Sequence, residues 1–224
     1  MNEAELVSLL ADENTIEIKR RKRETYLVIK RGLDIVLSFL ALIILLPFFL
    51  VLAFLIKIDS RGPVFFKHKR IGKDGKKIYI YKFRTIKKNA EELKKQFTKE
   101  QKEEFARDFK LKNDPRITRI GKFLRKTSLD ELPQLLNILK GDMSLIGPRP
   151  IVDREIEKYG MLKNIFLSVT PGLTGYWACN GRSSTDYDER IKLELFYVYN
   201  FCFKLDLKIF FKTIKSVIKK EGAI

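Results

Sequence analysis

From Ile35 to Ile56 every side chain is apolar except Ser38, and Pro47 falls near the middle of the run. A helix needs about 20 such residues to cross a bilayer core. Pro47 removes a helix hydrogen bond and favours a kink. Basic residues flank both ends: Lys19, Arg20, Arg21, Lys22, Arg23, Lys30 and Arg31 before, and Lys57, Arg61, Lys67, Lys69, Arg70 and Lys73 after. Cations of this kind favour the cytoplasmic side. A helix that enters, breaks at Pro47 and returns keeps both flanks there. On the residues alone a plain span stays open, as does a soluble core helix. Asp34 lies four residues after Lys30, so a helical pair is expected to soften its charge.

The pattern then changes period. Val64-Phe65-Phe66 and Ile78-Tyr79-Ile80-Tyr81 flank Gly72-Lys73-Asp74-Gly75, which predicts two short strands around a turn. Residues 86–112 are dense in Lys and Glu with a thin apolar stripe of Leu93, Phe97, Phe105 and Phe109, which predicts one or two surface helices. Ile120, Phe123 and Leu124 suggest a short helix, and residues 151–166 and 188–200 read as further helices. Thr170 to Gly175 reads as a loop. Over 203–220, Phe203, Leu207, Phe210, Phe211, Ile214, Val217 and Ile218 share a face with lysines interspersed. That amphipathic helix fits either a membrane surface or packing on the core with snorkelling lysines.

Composition sharpens this picture. Lys and Arg number 45 against 28 Asp and Glu, a formal net charge of +17. Such an excess points to an anionic partner: nucleic acid, anionic lipid or a phosphorylated substrate. Interleaved acidic residues and the lack of a nucleic-acid motif argue against the first. A single histidine, His68, excludes a multi-histidine metal site and reads as a surface residue in a basic run. Cys179 and Cys202 lack metal spacing and read as buried, reduced thiols. The apolar run begins too late for a cleavable signal peptide.

Within this basic chain Asp130 and Glu131 stand side by side. Arg116, Arg119, Lys122, Arg125 and Lys126 precede them, and Lys140 and Arg149 follow. An acid pair among cations suits chemistry on a phosphate. A plainer reading also holds. Ser128-x-x-Glu131 has the form of a capping box, Leu132, Leu135, Leu136 and Leu139 recur at helical spacing, and Gly141 supplies a stop. Lys82 and Arg84 form either a solvated strand face or a phosphate grip. Pro148 and Pro150 clamp the backbone around Arg149, which is either a surface arginine or a guanidinium held ready for a phosphate.

Eight ordered motifs carry a resemblance: Lys30-Arg31-x-x-Asp34, the Pro-interrupted apolar run, Lys82-Phe83-Arg84-Thr85, Asp114-Pro115-Arg116-Ile117-Thr118, Ser128 to Gln134, Gly147-Pro148-Arg149-Pro150, Pro171 to Gly175, and Gly181-Arg182. Together they resemble the bacterial sugar transferases, monotopic phosphoglycosyl transferases that act on polyprenyl phosphate. Many members carry serine before the breaking proline, where this chain has Leu46. Many have Gln-Val after the tryptophan, where Ala178-Cys179 follow Trp177 here.

The resemblance implies a helix-rich α/β fold with a small β element. It implies one compact domain, an N-terminal Pro-broken re-entrant membrane helix and amphipathic surface helices. The expected divisions are a polar basic segment at 1–29, the re-entrant helix at 30–58 and a catalytic domain at 59–224, a minimal form on the cytoplasmic face of the bacterial inner membrane. The implied reaction moves a sugar 1-phosphate from a nucleotide sugar, usually of uridine, to polyprenyl phosphate. Asp130 is the implied nucleophile and Glu131 the implied magnesium ligand. Lys82, Arg84, Arg125, Pro148, Arg149, Pro150 and Arg182 are the implied substrate-binding residues. No nucleic acid is expected, and homo-oligomer formation is left open. Competing readings are a membrane enzyme that transfers the sugar alone and releases a nucleoside diphosphate, a membrane-anchored basic binding module, and an adaptor in which the acid pair only caps a helix.

Overall fold

The computed structural model describes residues 24–108, 111, 113–181 and 185–219. The expected basic cluster Lys19 to Arg23, Phe109, Arg182 and Lys220 lie outside the described residues, as do the side chains of Val217 and Ile218.

The apolar run forms one helix, α1 (Glu24–Asp59), which starts earlier than the predicted segment and carries Pro47 on its exposed side. Among the described residues it is the one helix long and apolar enough to cross a membrane. Helical structure continues on both sides of Pro47. Residues facing the rest of the protein recur every three or four positions, as helical geometry requires. Leu27 packs near Ile209, Ala41 and Leu45 near Ile80 and Ile138, and Phe49, Leu52 and Ile56 near Phe83 and Leu124. Asp34 and Ser38 are buried on the same face.

Polar contacts pin both ends of α1 to the same body. At the start, Lys30 meets Asp206 at 2.5 Å, and Arg31 donates to the carbonyls of Ile138 and Leu139. Asp34 accepts the Leu145 N–H at 2.9 Å. The expected Lys30–Asp34 pair is therefore not formed: each side chain finds a partner distant in sequence, and Asp206 also accepts from the hydroxyls of Tyr26 and Tyr197. At the end, Asp59 accepts the Ile120 N–H at 2.8 Å.

Strands β1 (Phe65–Ile71) and β2 (Lys77–Phe83) form the predicted antiparallel hairpin. Asp74 and Gly75 turn it at positive φ. Two short helices follow, α2 (Ala90–Lys95) and α3 (Lys99–Asp108). Arg116 lies over the rings of Phe97 and Phe105 and grips Asp114 at 2.7 Å, so the Asp-Pro-Arg motif locks this flank. Helix α4 (Arg119–Thr127) is capped by the Thr118 side chain, which accepts the Gly121 N–H. A tight 3₁₀ turn, Leu129–Gln134, then leads into α5 (Leu135–Lys140), stopped as predicted by Gly141 at φ 88°.

The remaining elements are β3 (Ser144–Ile146), a 3₁₀ segment Asp153–Leu162, α6 (Lys163–Leu167), β4 (Gly172–Thr174), α7 (Tyr187–Asn200) and α8 (Phe203–Lys219). The helix expected over 151–166 is mostly 3₁₀, broken at Gly160, whose φ is 48°. The loop expected at 170–175 contains β4, which pairs parallel with β3. Helix α8 buries Asp206, Ile209 and Ser216 and leaves Phe203, Leu207, Phe210, Phe211 and Ile214 exposed, so its apolar stripe does not pack on the core. Cys179 is buried as expected, but Cys202 is exposed. The described residues form one helix-rich body with two small two-stranded sheets.

Candidate active site

The acid pair does not begin with a capping box. Ser128 takes the left-handed conformation, φ 57°, as the residue that ends α4, and its side chain caps nothing. The Glu131 N–H bonds the Ser128 backbone carbonyl instead, at 3.3 Å. A non-glycine residue held there costs of order 1–3 kcal/mol. The chain turns sharply at this point and places Asp130 and Glu131 on the 3₁₀ turn, against β2.

Asp130 is buried, at 9% exposure. Burial pushes its carboxyl above the usual range; Lys82 counters this, Glu131 adds to it and Arg125 counters it again. Glu131 Oε1 lies 2.5 Å from Lys82 Nζ and 4.0 Å from a guanidinium nitrogen of Arg149. Arg125 donates through Nε to Thr85 Oγ1 at 2.9 Å, which orients it from α4. Burial pushes the Arg125 guanidinium down and the Asp130 charge supports it. Thus Lys82, Arg125 and Arg149 converge on the pair.

Arg84 is not brought there. It is buried and donates to the carbonyls of Arg61 and Ser60, each at 2.6 Å, with Ile56 at 3.5 Å. Ser60 and Arg61 directly follow Asp59, the last residue of α1, so Arg84 ties down the segment that leaves the helix. Its place is structural, at the foot of α1.

Two loops from opposite parts of the sequence hold Arg149. The Gly147 N–H donates to the Thr174 carbonyl, and the Gly172 N–H to that of Pro148. A Cβ at Gly172 would stand 2.1 Å from Gly147 N, and one at Gly175 2.1 Å from Gly147 O. Pro148 and Pro150 are buried and frame the loop, while the Arg149 guanidinium faces Glu131. The Arg149 N–H donates to Glu194 Oε1 at 3.1 Å. Glu194 is 1% exposed, and burial pushes its carboxyl up to about 7 despite that N–H and Arg190.

Several contributors escaped sequence reading. Glu155 binds Arg190 at 3.2 Å and Arg70 at 3.6 Å. Arg190 lies over the Trp177 ring at 4.6 Å, with Arg149 at 5.9 Å. His68, expected on the surface, is half-buried beside Arg70, and burial with Arg70, Lys82, Arg149 and Arg154 nearby pushes its imidazole down to about 4. Strand alternation offered one signal. His68 and Arg70 pair with Ile80 and Ile78 while Lys82 pairs with Phe66, so all share one hairpin face.

Among the described residues no group of three or more metal-ligating side chains converges. A pair of adjacent carboxylates still fits magnesium, which keeps several waters and completes its shell with substrate phosphates.

The sequence matches known proteins. The family described as bacterial sugar transferase matches residues 25–220, and the chain belongs to it. It is 45% identical over 220 residues to the undecaprenyl-phosphate galactose phosphotransferase of Salmonella typhimurium, covering 97% of this chain and 45% of that protein. It is 41% identical over 207 residues to the UDP-glucose:undecaprenyl-phosphate glucose-1-phosphate transferase of Klebsiella pneumoniae, covering 88% and 42%. The exopolysaccharide production protein ExoY of Sinorhizobium fredii is 43% identical over 197 residues, with 87% of each chain covered. The chain thus spans about half the length of the two larger relatives.

Proposed function

We propose that the chain transfers a sugar 1-phosphate from a nucleotide sugar, of uridine in this reading, to polyprenyl phosphate, as the membrane step of bacterial polysaccharide synthesis. The observation that carries this is Asp130, a buried carboxylate beside a glutamate gripped by Lys82 and approached by Arg149. The names of the Salmonella and Klebsiella relatives, which specify transfer to undecaprenyl phosphate, support it.

An Asp130 carboxylate oxygen attacks the phosphorus that bears the sugar. A carboxylate–phosphorus bond forms, the bridging phosphorus–oxygen bond breaks, and its electron pair leaves on a nucleoside monophosphate. A phosphate oxygen of the lipid then attacks the same phosphorus and frees the carboxylate. No proton is transferred in either step. Lys82, Arg125 and Arg149 offset the repulsion between carboxylate and diphosphate. Glu131, with Asp130, would hold magnesium, which supplies further charge neutralisation when bound.

In the same reading α1 enters the cytoplasmic leaflet of the inner membrane and returns, with its bend at Pro47. Contacts to one body from Leu27 through Asp59 support this, because a spanning helix carries its ends to opposite sides. The outward face of α1 is apolar, from Val28 at 73% exposure to Ile58 at 68%. Helix α8 packs beside its first turns and adds Phe210 and Phe211 to that surface.

The test supplies purified protein with UDP-sugars, polyprenyl phosphate and magnesium, and identifies the nucleotide released. UMP, together with a phosphosugar trapped on Asp130 and its loss in Asp130→Asn, is the expected result. Release of UDP, or turnover retained by Asp130→Asn, overturns the reading.

A further inference from the structure

Among the described residues the first sheet holds β1 and β2 alone, so the outer edge of β2 has no strand beside it. The side chain of Asn137 takes that place. Its Oδ1 accepts the Tyr81 N–H at 2.9 Å, and its Nδ2 donates to the Tyr79 carbonyl at 2.8 Å. A neighbouring strand would present the same pair, one acceptor and one donor, to this edge. The second Nδ2 hydrogen goes to Asp142 Oδ2 at 3.3 Å, and no part of Asn137 is exposed. Turning the amide over would set N–H against N–H and carbonyl against carbonyl, so one orientation fits.

Asn137 stands where the elements that carry the site meet. It lies in the first turn of α5, directly after the 3₁₀ turn that bears Asp130 and Glu131. Tyr81 immediately precedes Lys82, whose Nζ lies 2.5 Å from Glu131 Oε1. The Asn137 carbonyl accepts the N–H groups of Asp142 and Met143, at 3.0 and 3.3 Å, where the chain heads for β3 and the Arg149 loop. Ile78 and Ile80 also pack with Leu135 and Ile138. Apolar contact is non-directional and resists sliding along a strand weakly. The two amide bonds are directional and fix how far along α5 the strand lies.

We infer that Asn137 is a positioning residue for the transfer: it sets β2 against α5 so that Lys82 meets the acid pair. The inference rests on the phosphoglycosyl-transfer reading above. Asn137 acts through the Tyr81 backbone, one residue from Lys82, and takes no part in the bonds that form and break. Its loss lets β2 shift against the turn that carries Asp130. A misplacement of about 1 Å at a site of this kind can lower turnover about 10²-fold.

The test uses the whole chain in nanodiscs with magnesium, a UDP-sugar and polyprenyl phosphate, and follows transfer of radiolabelled sugar phosphate. Asn137→Ser, Asn137→Leu, Lys82→Met and the double variants are compared, each with a circular dichroism melt. Asn137→Ser should lower kcat about 10–100-fold with the donor KM held. Asn137→Leu, of similar size but without polar atoms, should lose more. In the Lys82→Met background Asn137→Ser should cost less than about a further threefold, because the group it positions is gone. Losses that multiply in the double variant overturn the inference and, if UMP is still released, leave the transfer reading standing. An unchanged kcat in folded Asn137→Ser does the same. If neither Asn137 variant folds, the amide holds the fold rather than the site, and the inference fails. If the unaltered chain releases no UMP, the transfer reading fails and the inference with it.

Discussion

The main-chain N–H of Arg149 points at the carboxylate of Glu194, 3.1 Å away. A buried acid on α7 thereby fixes the backbone of the arginine that faces Glu131. The folded-state pKa of Glu194 is raised, to about 7, so the folded protein binds this proton more tightly than the unfolded chain. The resulting stability is complete below the ordinary carboxyl value and is lost as pH rises through about 7. The span amounts to roughly 3 kcal/mol. Denaturant unfolding from pH 5 to 8 should slope downward, and Glu194→Gln should flatten that slope by the difference.

Lys82 reaches Glu131 from β2, with both side chains partly exposed. Its contribution to stability is small, about 1 kcal/mol or less. Under the proposed function its contribution to turnover is larger, because it would place a cation where phosphate charge accumulates. Lys82→Met should lower kcat about 10²–10³-fold with little change in melting temperature. A kinetic assay alongside a thermal melt separates the two effects.

Arg84 predicts the reverse. Removing its bonds to the carbonyls that follow α1 should cost about 1.5–3 kcal/mol per lost charge-assisted contact at most. Arg84→Ala is expected to melt earlier, while KM for the nucleotide sugar in the surviving folded fraction is unchanged. A KM rise without destabilisation would move Arg84 into the binding site.

Gly172 packs against Gly147 with no room for a methyl group. Gly172→Ala should destabilise by about 1–3 kcal/mol. It should also reduce activity, since the Arg149 loop must shift. Circular dichroism melts and turnover measured on one preparation test both effects.

The exposed stripe of α8 gives a membrane prediction. Phe210→Asp with Phe211→Asp alters side chains that are 40% and 61% exposed, so folding should survive. Vesicle flotation should show weaker association, and turnover on lipid-embedded acceptor should fall with it.

Elements with local signals were legible in the sequence. The hairpin follows from alternation around Gly72 to Gly75, and the stop at Gly141 from its glycine. The acid pair stood out by charge. Features that depend on distant partners were not legible. Strands β3 and β4 span three residues each and exist only through each other. Arg84 resembles a phosphate ligand until the carbonyls that follow α1 arrive beside it. Asp34 and Lys30 have helical spacing, yet Leu145 and Asp206 claim them. Ser128 carries a capping pattern, but the left-handed turn ending α4 takes precedence.

The ion pair between Lys30 and Asp206 joins positions separated by 176 in sequence. At ribosomal speeds of about 5–20 residues per second, roughly 10–35 s pass between the synthesis of one partner and the other. During that interval the later part of α1 can meet Phe83, Leu124 and Ile138, but its start lacks the partner it will rest on. The start of α1 therefore waits for its polar anchor until α8 has been made, and this end of the helix docks late in the life of each new molecule.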